Sequence, residues 1–247
     1  MCLFLNIFCV ILCIALPLFT DRFDSEKVEV VSGLPSSDDV NSEADRHDNY
    51  GTKDVHFMLH VFSSLFCRID QLIQQKKHGL VAIDGNSAAG KSTLAKLLKS
   101  VYSCNIFSMD DFFLRPVQRT RDRLAEPGGN IDYERFSEEI IEQLKSGEPF
   151  IYRPYDCQVQ KLAEKVIVTP NLLNVVEGVY SLHPYFDEIY DIKVFLGLNS
   201  EEQRRRLLER NPGLYDRFIE EWVPMENKYF NVFQIPDKCD FLFDTYL

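Results

Sequence analysis

The segment Gly85-Asn86-Ser87-Ala88-Ala89-Gly90-Lys91-Ser92 constrains this chain more than any other. It follows a short apolar run, Leu80 to Ile83, and precedes a stretch with Leu94, Leu97 and Leu98 on one helical face. Gly-x-x-x-x-Gly-Lys-Ser in that setting predicts a strand, a tight phosphate-binding loop (a P-loop) and a helix starting at Lys91. The two glycines let the backbone turn sharply and approach an anion without a side chain in the way. Loop N–H groups and the helix N-terminus offer partial positive charge. Lys91 adds a full charge near the β and γ phosphates of a nucleotide, and the Ser92 hydroxyl suits magnesium. ATP and Mg2+ are the expected ligands.

Strand and helix signals alternate beyond the loop. Lys91 to Val101 reads as a helix, Asn105 to Met109 as a strand and Tyr133 to Lys145 as a helix. Phe150 to Tyr155 and Lys165 to Val168 look extended, in the manner of a hairpin arm. Leu172 to Val176 and Ile192 to Leu196 are further core strands. Glu201 to Arg210 and Tyr215 to Phe230 have helical spacing, and Phe241 to Phe243 forms a last strand. This order predicts an α/β P-loop NTPase: a parallel sheet with helices on both faces, a small substrate arm and a helical lid.

The first part of the chain differs in kind. Residues 1–19 form an uncharged apolar run about long enough to cross a bilayer as a helix. It lacks the positive start of a secretory signal and a small-x-small cleavage site. A signal or membrane anchor, tethering the chain through residues 1–19, and an unrelated extension both remain open. Residues 20–54 are polar and acidic without an apolar period, and read as a disordered linker. Residues 55–247 then hold the catalytic domain, beginning with a helix through Val61, Leu65, Ile69 and Leu72 that ends near Lys76 to Gly79. ATP has to be on the same side of any membrane, so that domain is expected in the cytoplasm. A net charge of −11 argues against a broad nucleic-acid surface. The seven cysteines include no Cys-x-x-Cys pair, which points to reduced, buried thiols rather than a disulfide framework or a zinc site.

A second acidic element, Ser108-Met109-Asp110-Asp111-Phe112-Phe113, closes the second strand. Ligands of open parallel sheets sit beyond the carboxyl ends of the strands, where a carboxylate can take the proton of a substrate hydroxyl. Three ordered segments now resemble the uridine kinase family, within the phosphoribulokinase/uridine kinase group of P-loop kinases. They are Asp84-Gly85-x-Ser87-x-x-Gly90-Lys91-Ser92-Thr93, the Ser108 to Phe113 run and Asn130-Ile131-Asp132, with Tyr155-Asp156 and Val176-Glu177-Gly178 in the matching order. The resemblance runs from about Leu80 to the C-terminus. It implies that Gly85 to Thr93 hold the nucleotide and that Asp110 is the general base. It implies that Asp132 bonds ribose hydroxyls, that Tyr155 contacts the base and that Glu177 helps Ser92 hold magnesium. Arg206 and Arg210 match arginines of the lid. They also share a helical face with Gln203, from which they can close over phosphates; a solvated basic face beside Glu201, Glu202 and Glu209 is the alternative.

The implied reaction is transfer of the ATP γ-phosphoryl group to the 5′-hydroxyl of uridine or cytidine. One departure bears on it: the family's histidine five residues beyond the tyrosine is Gln160 here, which can still donate and accept hydrogen bonds. Arg119, Arg121 and Arg123 are either surface charge or a seat for a phosphate already on the acceptor. A vitamin precursor, another nucleoside or a sugar phosphate therefore remains an alternative acceptor. His183 is read as a local structural contact and Trp222 as core. A nucleotide switch is disfavoured, because Asn227-Lys228-Tyr229-Phe230 lacks the aspartate of a guanine motif. Homo-oligomer formation stays open.

Overall fold

The computed structural model describes residues 58–245 apart from Lys77 and Asp187. All belong to one unit, Gly51–Leu247. The expectations for residues 1–19 and 20–54 lie outside the described residues. Among the described residues no helix is long and apolar enough to cross a membrane.

The chain is helical from Met58, and α1 (Ser63–Gln75) buries Leu65, Ile69 and Leu72 at the predicted spacing. β1 (Gly79–Gly85) runs into the glycine loop, and α2 (Lys91–Val101) follows it. β2 (Cys104–Ser108) stops one residue before the predicted end, and Met109–Phe112 forms a 3-10 turn. After a 3-10 turn at Pro116–Gln118 and α3 (Arg121–Ala125), a rod of α4 (Tyr133–Phe136), a π turn (Ser137–Ile141) and α5 (Glu142–Ser146) matches the single predicted helix.

The arm is two nested antiparallel ladders. β3 (Phe150–Tyr152) pairs with β6 (Val166–Val168), and between them β4 (Tyr155–Asp156) pairs with β5 (Lys161–Leu162). β7 (Leu173–Glu177) and β8 (Ile192–Gly197) return the chain to the main sheet. Then come α6 (Ser200–Arg210), α7 (Tyr215–Arg217), a second π turn (Phe218–Trp222), α8 (Val223–Phe233) and β9 (Phe241–Asp244). Pro224 has no N–H to give the carbonyl of Glu220, and the π turn falls directly ahead of it. Trp222 ends up half-buried on that turn, edge-on to Phe218 at 4.5 Å, rather than in the core.

The main sheet has strand order β2-β7-β1-β8-β9, with every pairing parallel. Its apolar residues divide by alternation. Val81, Ile83, Val175, Val194 and Leu196 face a core with α1 and α2. Ala82, Phe107, Val176 and Phe195 face a second core with the arm, the 133–146 rod and α8. Both faces are covered, as a parallel sheet requires. Register then fixes the site: Ile83 and Ser108 both pair with Glu177, so β1, β2 and β7 end together on one edge.

Candidate active site

The glycine loop leaves β1 at that edge. Gly85 has φ of 137°, and a Cβ there would lie 2.1 Å from the carbonyl oxygen of Leu196. Gly90 has φ of 94° and serves as the N-cap of α2 in left-handed backbone. Each loop carbonyl from Gly85 to Ala89 has a partner. Lys91 Nζ donates to Gly85 and Asn86 at 2.9 Å each. Gln203 Nε2 donates to Ser87 at 3.2 Å, Arg206 Nη1 to Ala88 at 3.3 Å and Thr245 Oγ1 to Ala89 at 2.8 Å. The N–H groups of Ala88, Gly90, Lys91 and Ser92, by contrast, have no protein acceptor among the described residues. Carbonyls tied outward and N–H groups left open make a seat for an anion.

Asp84, at the root of the loop, is fully buried and accepts from the N–H groups of Gly85, Tyr180 and Leu182 and from Tyr229 Oη. Burial pushes its carboxyl up to about 6, against the pull of these bonds and of Lys91. Beside it, Glu177 accepts from Ser92 Oγ at 3.1 Å and from the Ser108 side chain. Burial raises the Glu177 pKa; Lys91 lowers it, and the charge of Asp110 adds to the rise. Ser92 and Glu177 thus meet as expected, two oxygen donors beside the anion seat. Among the described residues no group of three His, Cys, Asp or Glu side chains is spaced for a metal. That donor set fits Mg2+, which keeps water and phosphate oxygens and needs few protein ligands.

The adjacent acids part company. Asp110 is exposed, and its charge reaches Glu177, Tyr180 and Cys157. Asp111 is half-buried, accepts from Tyr152 Oη at 3.2 Å and gives its carbonyl to Arg135 Nη2 at 2.6 Å. Burial raises the Asp111 pKa, with the Tyr152 bond opposing. A 3-10 turn, three residues per revolution, separates the two side chains; strand alternation is not involved.

Asp132 caps α4, accepting from Arg135 N at 3.2 Å, and accepts from Gln118 Nε2 at 2.8 Å. It borders a cavity of about 370 Å³ with Leu114, Gln118, Arg123 and Glu134. Tyr155 lies on the arm against the 109–112 turn, only 3% exposed, and its buried hydroxyl has no partner. Gln160 is exposed at the tip of the β4–β5 hairpin with φ of 54°. The charge of Arg119 and Asp110 is felt at Cys157 on the same tip, so the tip lies near both.

Arg123 fits neither role foreseen for it. It donates to the carbonyls of Gly129 and Ile131, to Tyr133 Oη and to both oxygens of Glu134, and lies 3.7 Å over the Tyr133 ring. It is a staple of the 123–134 segment. Arg119 gives its Nε to the Leu114 carbonyl and is exposed. His183 is the structural contact expected, stacked on Tyr133, hydrogen-bonded to the Pro127 backbone and accepting from Tyr185 N at 3.2 Å. Arg206 bonds Glu202 and the Thr245 carbonyl as well as Ala88, so in this conformation it grips the loop from outside; Arg210 is exposed one turn on. Asp84 and Thr245 were given no role by the sequence, nor were Glu226 and Tyr229 on α8. The signal available for Glu226 was a carboxylate on the stripe it shares with Tyr229 and Phe230.

No protein-family model and no curated protein matches this sequence. Solved structures do. One described as a possible uridine kinase from Bacillus stearothermophilus is 21% identical, with a TM-score of 0.52 over 73% of this chain and 100% of that one. One described as a candidate fructose transport system kinase from Silicibacter sp. TM1040 is 20% identical, with a TM-score of 0.50 over 74% of this chain and 98% of that one. The fold is that of a P-loop NTPase. At these identities the likeness carries the fold and leaves the chemistry to the site.

Proposed function

We propose that this chain is an ATP-dependent kinase of a small hydroxyl-bearing acceptor. The observation that carries the reading is the loop: open N–H groups at Ala88, Gly90, Lys91 and Ser92, the Lys91 ammonium beside them, and Ser92 bonded to Glu177 at the sheet edge where Asp110 is exposed. Lys91 would leave the loop carbonyls for the phosphates. Mg2+, held by Ser92 and Glu177, would neutralise charge on the transferring group. The acceptor hydroxyl oxygen bonds the γ-phosphorus as the bond from that phosphorus to the β–γ bridging oxygen breaks. ADP leaves, and Asp110 takes the hydroxyl proton. Arg206 and Arg210 would act as lid residues only after Arg206 releases Ala88 and Thr245.

The finer reading, from the motifs, is the 5′-hydroxyl of uridine or cytidine, with Asp132 on the ribose and Tyr155 and Gln160 at the base. Tyr155 argues for a second reading. At 3% exposure its ring offers no free face to a base, so a sugar or polyol bound through Asp132 and Gln118 is the competing acceptor. One neighbour is described as a possible uridine kinase and the other as a candidate kinase of a fructose transport system, so the shared fold is compatible with both.

The test is ADP release from ATP·Mg2+ with a panel of acceptors: uridine, cytidine, other nucleosides, free sugars, sugar phosphates and polyols. Acceptor-dependent ADP release, with the phosphorylated product seen by mass spectrometry, is expected for one class. No turnover with any hydroxyl acceptor, in a protein that binds ATP, would sink the kinase reading.

A further inference from the structure

Ser87, in the middle of the glycine loop, is held from a helix much later in the chain. Glu226, in the first turn of α8, is 4% exposed. Its Oε2 accepts from Ser87 N at 3.1 Å, and its Oε1 accepts from Ser87 Oγ. Three residues on, Tyr229 Oη donates to Asp84 Oδ2 at 2.8 Å. One face of α8 therefore holds both the root and the third residue of the loop. The Ser87 carbonyl is held separately, from α6, by Gln203.

A buried carboxylate is the wrong charge to place beside a triphosphate seat. Burial raises its pKa, and Asp84 adds to the rise. Lys91 and the two bonds from Ser87 work the other way, and Tyr180 also lies within reach of its charge. An apolar side chain would fill the space without that desolvation cost. What the carboxylate supplies, and an apolar group cannot, is an acceptor for each Ser87 donor. The division of labour along the loop follows. Ser87 spends both its donors on Glu226, and the open N–H groups begin at Ala88.

We infer that Glu226 is a positioning residue for the nucleotide: it fixes Ser87, and through Ser87 presets the open N–H groups of Ala88, Gly90, Lys91 and Ser92, without itself touching the ligand. An anion seat formed before binding avoids the ordering cost of forming it on contact. The inference rests on the reading that the loop binds a nucleotide.

Reach and charge can be separated at this position. Glu226→Gln keeps the length: its amide oxygen accepts from Ser87 N and its NH2 donates to Ser87 Oγ. Glu226→Asp keeps the charge but is one methylene too short to hold both. The measurement is calorimetric binding of ADP·Mg2+ to the full chain, wild type and both variants, with Ser87→Ala and the Glu226→Asp/Ser87→Ala pair. Glu226→Asp is expected to weaken ADP on the order of tenfold, the scale of one buried donor losing its acceptor. Glu226→Gln stays within about threefold, and the double variant is weaker than wild type by less than the two single effects combined. The acceptor KM is expected to be unchanged throughout. Equal ADP affinity in wild type and Glu226→Asp overturns the inference. So does a Glu226→Gln protein as weak as Glu226→Asp, because charge and not the hold on Ser87 would then be what matters. A wild-type protein that binds no ADP refutes the nucleotide reading instead, a separate outcome.

Discussion

The two sides of the proposed site are built differently. On the loop side, carbonyls from Gly85 to Ala89 are tied down by α2, α6 and Thr245, and α8 holds Ser87 and Asp84. On the acceptor side, Asp110 rides on a four-residue 3-10 turn, Asp132 caps a four-residue helix, and Tyr155 and Gln160 sit in a hairpin of two-residue strands. Among the described residues five buried polar side-chain atoms lack a hydrogen-bond partner: Asn130 Oδ1, Arg135 Nε and Tyr155 Oη lie there, and Ser181 Oγ and Tyr190 Oη lie nearer Asp84. A phosphate seat makes the same demand whatever the acceptor, and long elements can meet it rigidly. The proposed acceptor side sits on short pieces that side-chain bonds hold to one another, where a substitution can change specificity without unmaking the fold.

The largest expected effect tests whether the acceptor side holds the chemistry. Asp110→Asn should lower kcat by about 10²–10⁴-fold, the usual worth of a general base, with ADP affinity little changed. Asp111→Asn, whose carboxylate serves Tyr152, should cost about tenfold or less. Steady-state kinetics beside calorimetry decide it, and a dead Asp111→Asn enzyme with a mild Asp110→Asn one reverses the assignment.

The next sharpens the acceptor wall through pH. His183, stacked on Tyr133, has its pKa lowered from 6.5 to about 4 by burial. Between those values the unfolded chain takes up a proton that the folded chain refuses, so acid destabilises the fold, by at most about 3 kcal/mol from this group. Asp84, raised to about 6, acts in the opposite sense, gaining stability as pH falls. Comparing wild type with His183→Gln cancels that term. The stability gap between them, measured by urea unfolding, should narrow as pH falls from 6.5 toward 4; a constant gap would show that His183 is charged in the folded state.

Arg123 and Arg206 test the same contrast by mutation. Arg123→Ala should destabilise by about 2 kcal/mol, because it strips several acceptors at once, whereas Arg119→Ala stays within about 0.5 kcal/mol. Similar melting temperatures for the two would deny Arg123 its role as staple. Arg206→Ala should weaken ADP several-fold if it anchors Ala88; a fall in kcat alone would favour the lid role. The smallest effect is Tyr155→Phe, which removes a hydroxyl with no partner and should raise stability by up to about 1 kcal/mol. A loss of stability would reveal a bound water or ligand at that hydroxyl.

Sequence alone was enough for whatever contiguous residues encode. The glycine loop was legible because its turn, anion seat and helix start lie within Gly85 to Ser92. The parallel α/β character was legible in runs such as Leu173 to Val176 and Ile192 to Leu196, apolar on both faces. The arm showed in its extended segments, and Ser92 beside Glu177 was what the resemblance to the uridine kinase family implied. Tertiary structure decided what those faces meet. Tyr155 was implied by the resemblance to contact a base and is buried against the 109–112 turn. Arg123 looked like loose charge and is tied to Glu134, and Arg206 looked like a lid residue and grips Ala88 and Thr245. Glu226 reaches Ser87 and Tyr229 reaches Asp84 across most of the chain. Periodicity records that a face is buried, but the partner it is buried against is set by strand order and packing, which local residue pattern does not encode.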